Sequence, residues 1–127
     1  MTPAEGAIVF AYHTDSKGLY NENGKPGWRL RGWAITDKTG AFEFSTIRPA
    51  SYPSGTVPAH IHLTVEGEGV PRQWTEELRF ADDPLLSKSG ANDSRRGEKF
   101  GHVRPVRRDR KTQHIEFNIR LKETADF

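Results

Sequence analysis

From Pro58 to Glu66 the chain alternates with period two: Ile61, Leu63 and Val65 are apolar, while His60, His62, Thr64 and Glu66 are polar. That pattern demands a half-buried β-strand, because successive strand side chains point to opposite faces. His60 and His62 therefore share a face. Two imidazoles on neighbouring rungs of a stiff strand make half of a metal site, since imidazole suits iron, zinc, copper and nickel. A strand edge carrying two solvent-facing histidines fits the same spacing equally well. The surrounding residues have to separate the two readings.

The same period recurs along the chain. Ala7 to His13 sets Ile8, Phe10 and Tyr12 against Val9, Ala11 and His13, a strand with both faces partly covered. Thr14 to Gly18 reads as a turn, and the polar, glycine-rich run from Asn21 to Gly27 as a loop. Trp28 to Ile35 is a strand with Trp28, Leu30 and Ala34 opposite Arg29, Arg31, Trp33 and Ile35. Asp37-Lys38-Thr39-Gly40 is a hairpin turn, returning through Ala41 to Ile47 with Phe42 and Phe44 inward. Pro49, Pro53 and Pro58 stiffen the loop that feeds the histidine strand. Arg72 to Phe80 and Thr112 to Leu121 complete the strands. Residues 81–111 carry no clear element, and no stretch holds a helical period beyond two turns. Short strands with turns between them predict an all-β, antiparallel sandwich with a long irregular segment near 81–111. Residues 1–127 form one domain.

The totals narrow the chemistry. There is no cysteine, so any metal must be held by nitrogen and oxygen. No apolar run approaches a membrane span, and no signal-peptide pattern is visible at the start, which leaves the cytoplasm as the default expectation. The segment from Arg95 to Lys111 is rich in arginine and lysine, but it lacks interleaved stacking aromatics, and the net charge is only +2. A solvated loop whose charges pair with Glu76, Glu77, Asp82 and Asp83 is therefore expected rather than a nucleic-acid surface.

Three arrangements use His60 and His62. Glu66, on the same face, would complete a cupin-like His-x-His-carboxylate set. Without a metal, the histidines would serve a ligand-binding sandwich. In the third, tyrosines complete the site. Of the three tyrosines, Tyr20 closes a glycine turn and Tyr52 sits in the proline-stiffened loop. Phenolate is a hard anionic donor favoured by Fe(III), and two would neutralise two of its three charges. Tyr12, in mid-strand, reads as an ordinary core aromatic.

Five stretches now stand in order: Tyr12 to Tyr20, Arg31 to Gly40, Phe44-Ser45-Thr46-Ile47-Arg48-Pro49 with Tyr52-Pro53, Pro58-Ala59-His60-Ile61-His62, and Phe80-Ala81-Asp82-Asp83-Pro84. This ordered set resembles the intradiol ring-cleavage dioxygenases, the family of protocatechuate 3,4-dioxygenase and catechol 1,2-dioxygenase. The resemblance implies a β-sandwich that holds non-haem Fe(III) through Tyr20, Tyr52, His60 and His62. Tyr52 falls on the tyrosine that leaves the metal when substrate binds and then acts as a base. The implied reaction cleaves a catechol-type ring between its two hydroxyl-bearing carbons with O2, giving a muconate-type diacid. The implied partners are a small aromatic diol and O2.

The chain also departs from the family pattern. Val57 stands where the family has an arginine that stabilises negative charge on the substrate, and Arg31, Arg48 or Arg72 would have to replace it. Glu77 falls near a glutamine that the family uses beside the substrate. Arg31, Val57 and Glu77 are accordingly the expected substrate-side positions. A family strand before Gly6 has no counterpart here, so the expectation is either a trimmed product or an edge covered by a second copy, as in a homo-oligomer. These departures keep a rival open: a catalytically degenerate sandwich that serves as a binding module.

Overall fold

The computed structural model describes residues 2–21 and 27–127. The run from Asn21 to Gly27 expected as a loop lies for its central part, residues 22–26, outside the described residues. Strands β1 (Ile8–His13), β2 (Leu30–Ile35), β3 (His60–Gly67), β4 (Val70–Trp74), β5 (Leu78–Phe80) and β6 (Val103–Arg104) build one sheet. Its order is β2-β1-β3-β5-β6, with β4 also paired to β3. All pairings are antiparallel except β5 with β6. Strands β7 (Arg107–Asp109) and β8 (Thr112–His114) form a separate hairpin.

The register sorts the faces. Val9 pairs with Val65 and Ala11 with Leu63, and all four are buried. Together with Ala7 and Leu78 they make the core. Phe42, Phe44, Ile115, Phe117, Ile119 and Leu121 pack against it from segments outside the sheet. Fully burying a side chain such as Val9, Leu63 or Phe80 contributes about 1.5–3 kcal/mol. The alternate residues of β1 and β3, among them Tyr12, His60 and His62, lie on the other face of the sheet.

Four differences from the sequence expectation have physical causes. The segments expected as strands at 41–47 and 115–121 set Phe42, Phe44, Ile115, Phe117, Ile119 and Leu121 against the core, but make no regular ladder there. The expected strand from Arg72 to Phe80 is divided into β4 and β5 by Thr75–Glu77. Residues 81–111 are not irregular throughout: α1 spans Lys88–Arg96, followed by a 3-10 turn at Glu98–Phe100 and then β6 and β7. Helix α1 starts at Ser87, whose hydroxyl accepts the Gly90 N–H at 3.1 Å. Only Ser94 of this helix is buried, so no apolar stripe announces it in the sequence. Finally, β1 is not an open edge, since β2 and β3 flank it. Among the described residues, no helix is long and apolar enough to cross a membrane.

Candidate metal centre

Two loops distant in sequence are clamped together beside β3. In the first, the Asp15 carboxylate accepts the N–H groups of Lys17 (2.8 Å) and Leu19 (3.1 Å), and Arg29 donates to it at 2.9 Å. This closes the turn that ends in Tyr20. The clamp to the second loop runs through Ala50. Its N–H donates to the Asp15 carbonyl at 3.0 Å, and its carbonyl accepts the Thr14 hydroxyl at 2.7 Å. Gly18, at φ +78°, lies so close to Ser51 that a Cβ there would sit 2.0 Å from the Ser51 carbonyl oxygen. Only glycine allows both that φ and that approach. Buried His13 anchors the base of the turn, with Nε2 3.0 Å from the Thr46 hydroxyl.

The start of β3 is fixed from the other side. Ala59 N–H donates to the Asp83 carboxylate at 2.9 Å. Arg48 forks onto Asp82 at 2.6 and 3.1 Å and lies over the Phe80 ring at 4.4 Å. The Arg48-Pro49 and Phe80 to Pro84 stretches therefore act as scaffold for the histidine strand. Arg108 also reaches Asp82, at 2.9 Å, one of the pairings expected of the basic segment.

Four polar atoms converge as a result. The Tyr20 hydroxyl lies 2.6 Å from that of Tyr52 and 2.9 Å from His62 Nε2. The Tyr52 hydroxyl lies 3.0 Å from His60 Nε2, and the two Nε2 atoms are 3.1 Å apart. With metal–donor bonds of about 2 Å, neighbouring donors at right angles lie about 2.9 Å apart. The observed edges match a single coordination sphere. His60 is set for this role: its Nδ1–H donates to the Pro58 carbonyl at 2.8 Å, which leaves Nε2 as the lone-pair nitrogen.

The electrostatics fit a cation as well. Burial and then the neighbouring His60 lower the pKa of His62, which favours the neutral ring that a metal needs as donor. Burial, then the hydrogen bond with Tyr52, hold the Tyr20 phenol far above its ordinary range. Without a cation the Tyr20 phenol stays neutral. A bound high-charge ion would invert that preference and draw off its proton.

Other expected residues fall elsewhere. Glu66 is paired with Arg72 at 3.0 Å, and the fold is an open sheet rather than a barrel, which removes the cupin-like set. The carboxylate that does approach both histidines is Glu77. Arg31 pairs with Tyr12 across the sheet, and its guanidinium donates to the Trp28 carbonyl at 2.6 Å. Val57 is half-buried just before Pro58. Arg48 and Arg72 are held by Asp82 and Glu66. Tyr12 is more than a core aromatic. It stacks on His62 on one side and on Trp28 on the other, with centroids 4.6 and 4.1 Å away. Only its position opposite His62 in the register could have announced this, and a single sequence does not contain that register.

The chain matches the family model described as "Dioxygenase" over residues 2–123. It is 29% identical to "Catechol 1,2-dioxygenase 1" of Acinetobacter lwoffii, covering 94% of this chain and 46% of that protein. It is 33% identical to "Protocatechuate 3,4-dioxygenase beta chain" of Burkholderia cepacia, over 67% of this chain and 41% of that one. The chain thus spans less than half the length of these curated relatives. Its fold is similar to that of the intradiol ring-cleavage dioxygenase from Tetranychus urticae, with a TM-score of 0.69 at 19% identity, covering 96% of this chain and 74% of that one.

Proposed function

Since this chain belongs to the intradiol ring-cleavage dioxygenase family, we propose that Tyr20, Tyr52, His60 and His62 hold Fe(III) and that the chain cleaves a catechol-type ring between its hydroxylated carbons with O2. The observation that carries this reading is the meeting of four donor atoms from two loops and one strand at 2.6–3.1 Å. The names of the relatives, which act on catechol and protocatechuate, supply the substrate class.

When bound, Fe(III) supplies the Lewis acidity that withdraws electron density from a catecholate and makes its ring reactive toward O2. The residues of the chain do the rest. His60 and His62 are neutral donors on a rigid strand, and Tyr20 is fixed by the Asp15 turn. Tyr52 is half-buried, and as the tyrosine assigned to leave the metal it would accept a proton from the incoming diol. The Tyr12 ring packs against His62 and keeps water from that side of the imidazole.

The test is a visible spectrum with metal analysis. Iron-loaded protein should carry about one iron and a tyrosinate charge-transfer band. Catechol added without O2 should shift the band, and admitting O2 should yield the diacid. A colourless protein that retains no iron after reconstitution would defeat the proposal. Val57, an apolar residue where the family pattern has arginine, favours a second reading in which the centre binds iron and diol but turns over poorly.

A further inference from the structure

His62 turns its two nitrogens toward different neighbours. Nε2 faces the Tyr20 hydroxyl and His60, whereas Nδ1 lies 3.5 Å from a Glu77 carboxylate oxygen. The other Glu77 oxygen lies 3.2 Å from Arg79 Nη2. Arg79 is itself the cross-strand partner of His60. The two histidines of β3 thus face a glutamate and an arginine from the neighbouring strand edge.

A bulge creates this arrangement. Ile61 pairs with Leu78 and Thr64 with Trp74. Between those pairs β3 has His62 and Leu63, whereas the opposing chain has Thr75, Glu76 and Glu77. Thr75 N–H donates to the Leu63 carbonyl at 3.1 Å, so both glutamates stand against His62. One extra residue against one is a β-bulge, which re-aims side chains. Glu76 turns away to His102 Nδ1 at 2.6 Å, and Glu77 turns to His62.

We propose that Glu77, held in place by Arg79, is the positioning residue for His62. Its carboxylate accepts a hydrogen bond from Nδ1–H, fixes Nε2 as the lone-pair nitrogen aimed at the tyrosines, and strengthens it as a donor. The separation is 3.5 Å here; hydrogen bonds in unliganded sites are often long, and engagement of Nε2 would draw Nδ1–H onto the carboxylate. His60 has the weaker counterpart, a main-chain carbonyl from Pro58. A carboxylate is the stronger acceptor, so the two imidazoles are unequal donors. This assignment rests on the iron-site reading and moves Glu77 from the substrate side to the support of the metal.

The experiment compares wild type, Glu77→Ala, Glu77→Gln and Arg79→Ala, each checked for folding. Iron affinity is measured by chelator competition, and the charge-transfer band is recorded. Glu77→Ala should weaken iron binding about 10- to 100-fold and shift the band. Glu77→Gln keeps an acceptor for Nδ1–H and should restore most of the affinity, and Arg79→Ala should fall between. Wild-type affinity and an unshifted band in Glu77→Ala would overturn the assignment, as would a Glu77→Gln variant as weak as the alanine. If Glu77→Ala does not fold, Arg79→Ala decides by the same two readouts. A wild-type protein with no tyrosinate band defeats the iron-site reading itself, whereas a banded wild type with indifferent variants defeats only this assignment.

Discussion

Tyr12 and His62 are direct partners in the β1–β3 register, and their rings stack with centroids 4.6 Å apart and planes 15° apart. Trp28 covers the far side of Tyr12 at 4.1 Å. A buried core-type ring therefore sets the orientation of an imidazole at the donor cluster. Tyr12→Leu should lower the melting temperature, with a cost of about 1–3 kcal/mol, and weaken iron binding because His62 gains freedom. Tyr12→Phe retains the stack and should be close to wild type in both. Calorimetry with metal titration checks this, and equal damage in both variants would point to the hydroxyl instead.

Tyr52 sits 2.6 Å from Tyr20 and 3.0 Å from His60, and its loss should be chemical rather than structural. In Tyr52→Phe the charge-transfer band should change and catechol turnover should fall at least about 100-fold, the usual scale of a lost general base. The fold should survive. An unchanged spectrum would remove Tyr52 from the donor set.

Gly18 is where the two tyrosine loops touch, and a Cβ there would collide with the Ser51 carbonyl. Gly18→Ala should cost more than about 2 kcal/mol, since a positive φ alone costs about 1–3 kcal/mol and the collision adds to it. The loops should part and iron stoichiometry should drop even at temperatures where the sheet stays folded. Full iron occupancy in a folded Gly18→Ala protein would contradict the clamp.

The carboxylate of Asp15 makes the tyrosine turn acid-sensitive. The N–H groups of Leu19 and then Lys17, followed by Arg29, hold its pKa below the ordinary value. A depressed carboxyl stabilises the fold above its unfolded pKa, about 3.9, and that contribution disappears as pH falls through the lower folded value. Asp15→Asn should therefore unfold at lower urea than wild type at pH 7, with the difference shrinking below about pH 4. A difference that stays constant down to pH 2 would exclude the linkage.

Val57 offers a gain-of-function test. A positioned donor to developing negative charge is worth about 10²–10³ in rate. Val57→Arg should raise catechol turnover without changing the iron band. Unchanged turnover would show that charge stabilisation at this site comes from another direction.

Much of the architecture could be read from side-chain period alone. Alternation located β1, β2 and β3 to within a residue or two, because a strand with one buried face must repeat every second residue. The same rule overextended the strands at 41–47 and 115–121, where apolar side chains reach the core but the backbone joins no regular ladder. It also missed α1, whose exposed residues have no apolar face to repeat. The glutamates at 76 and 77 carried no local signal of their different partners, since a bulge is a property of two strands together.

What the linear chain determined by itself is the donor inventory and half of its geometry. It has no thiolates, and two imidazoles share one face of one strand because of the two-residue repeat. What only folding decided is the other half. Tyr20 and Tyr52 are 32 residues apart, and they meet because Ala50 bonds to Thr14 and Asp15 and because Gly18 has no side chain to hold Ser51 away. Contacts between distant segments depend on the packing of the whole sheet, and no spacing along the chain encodes them.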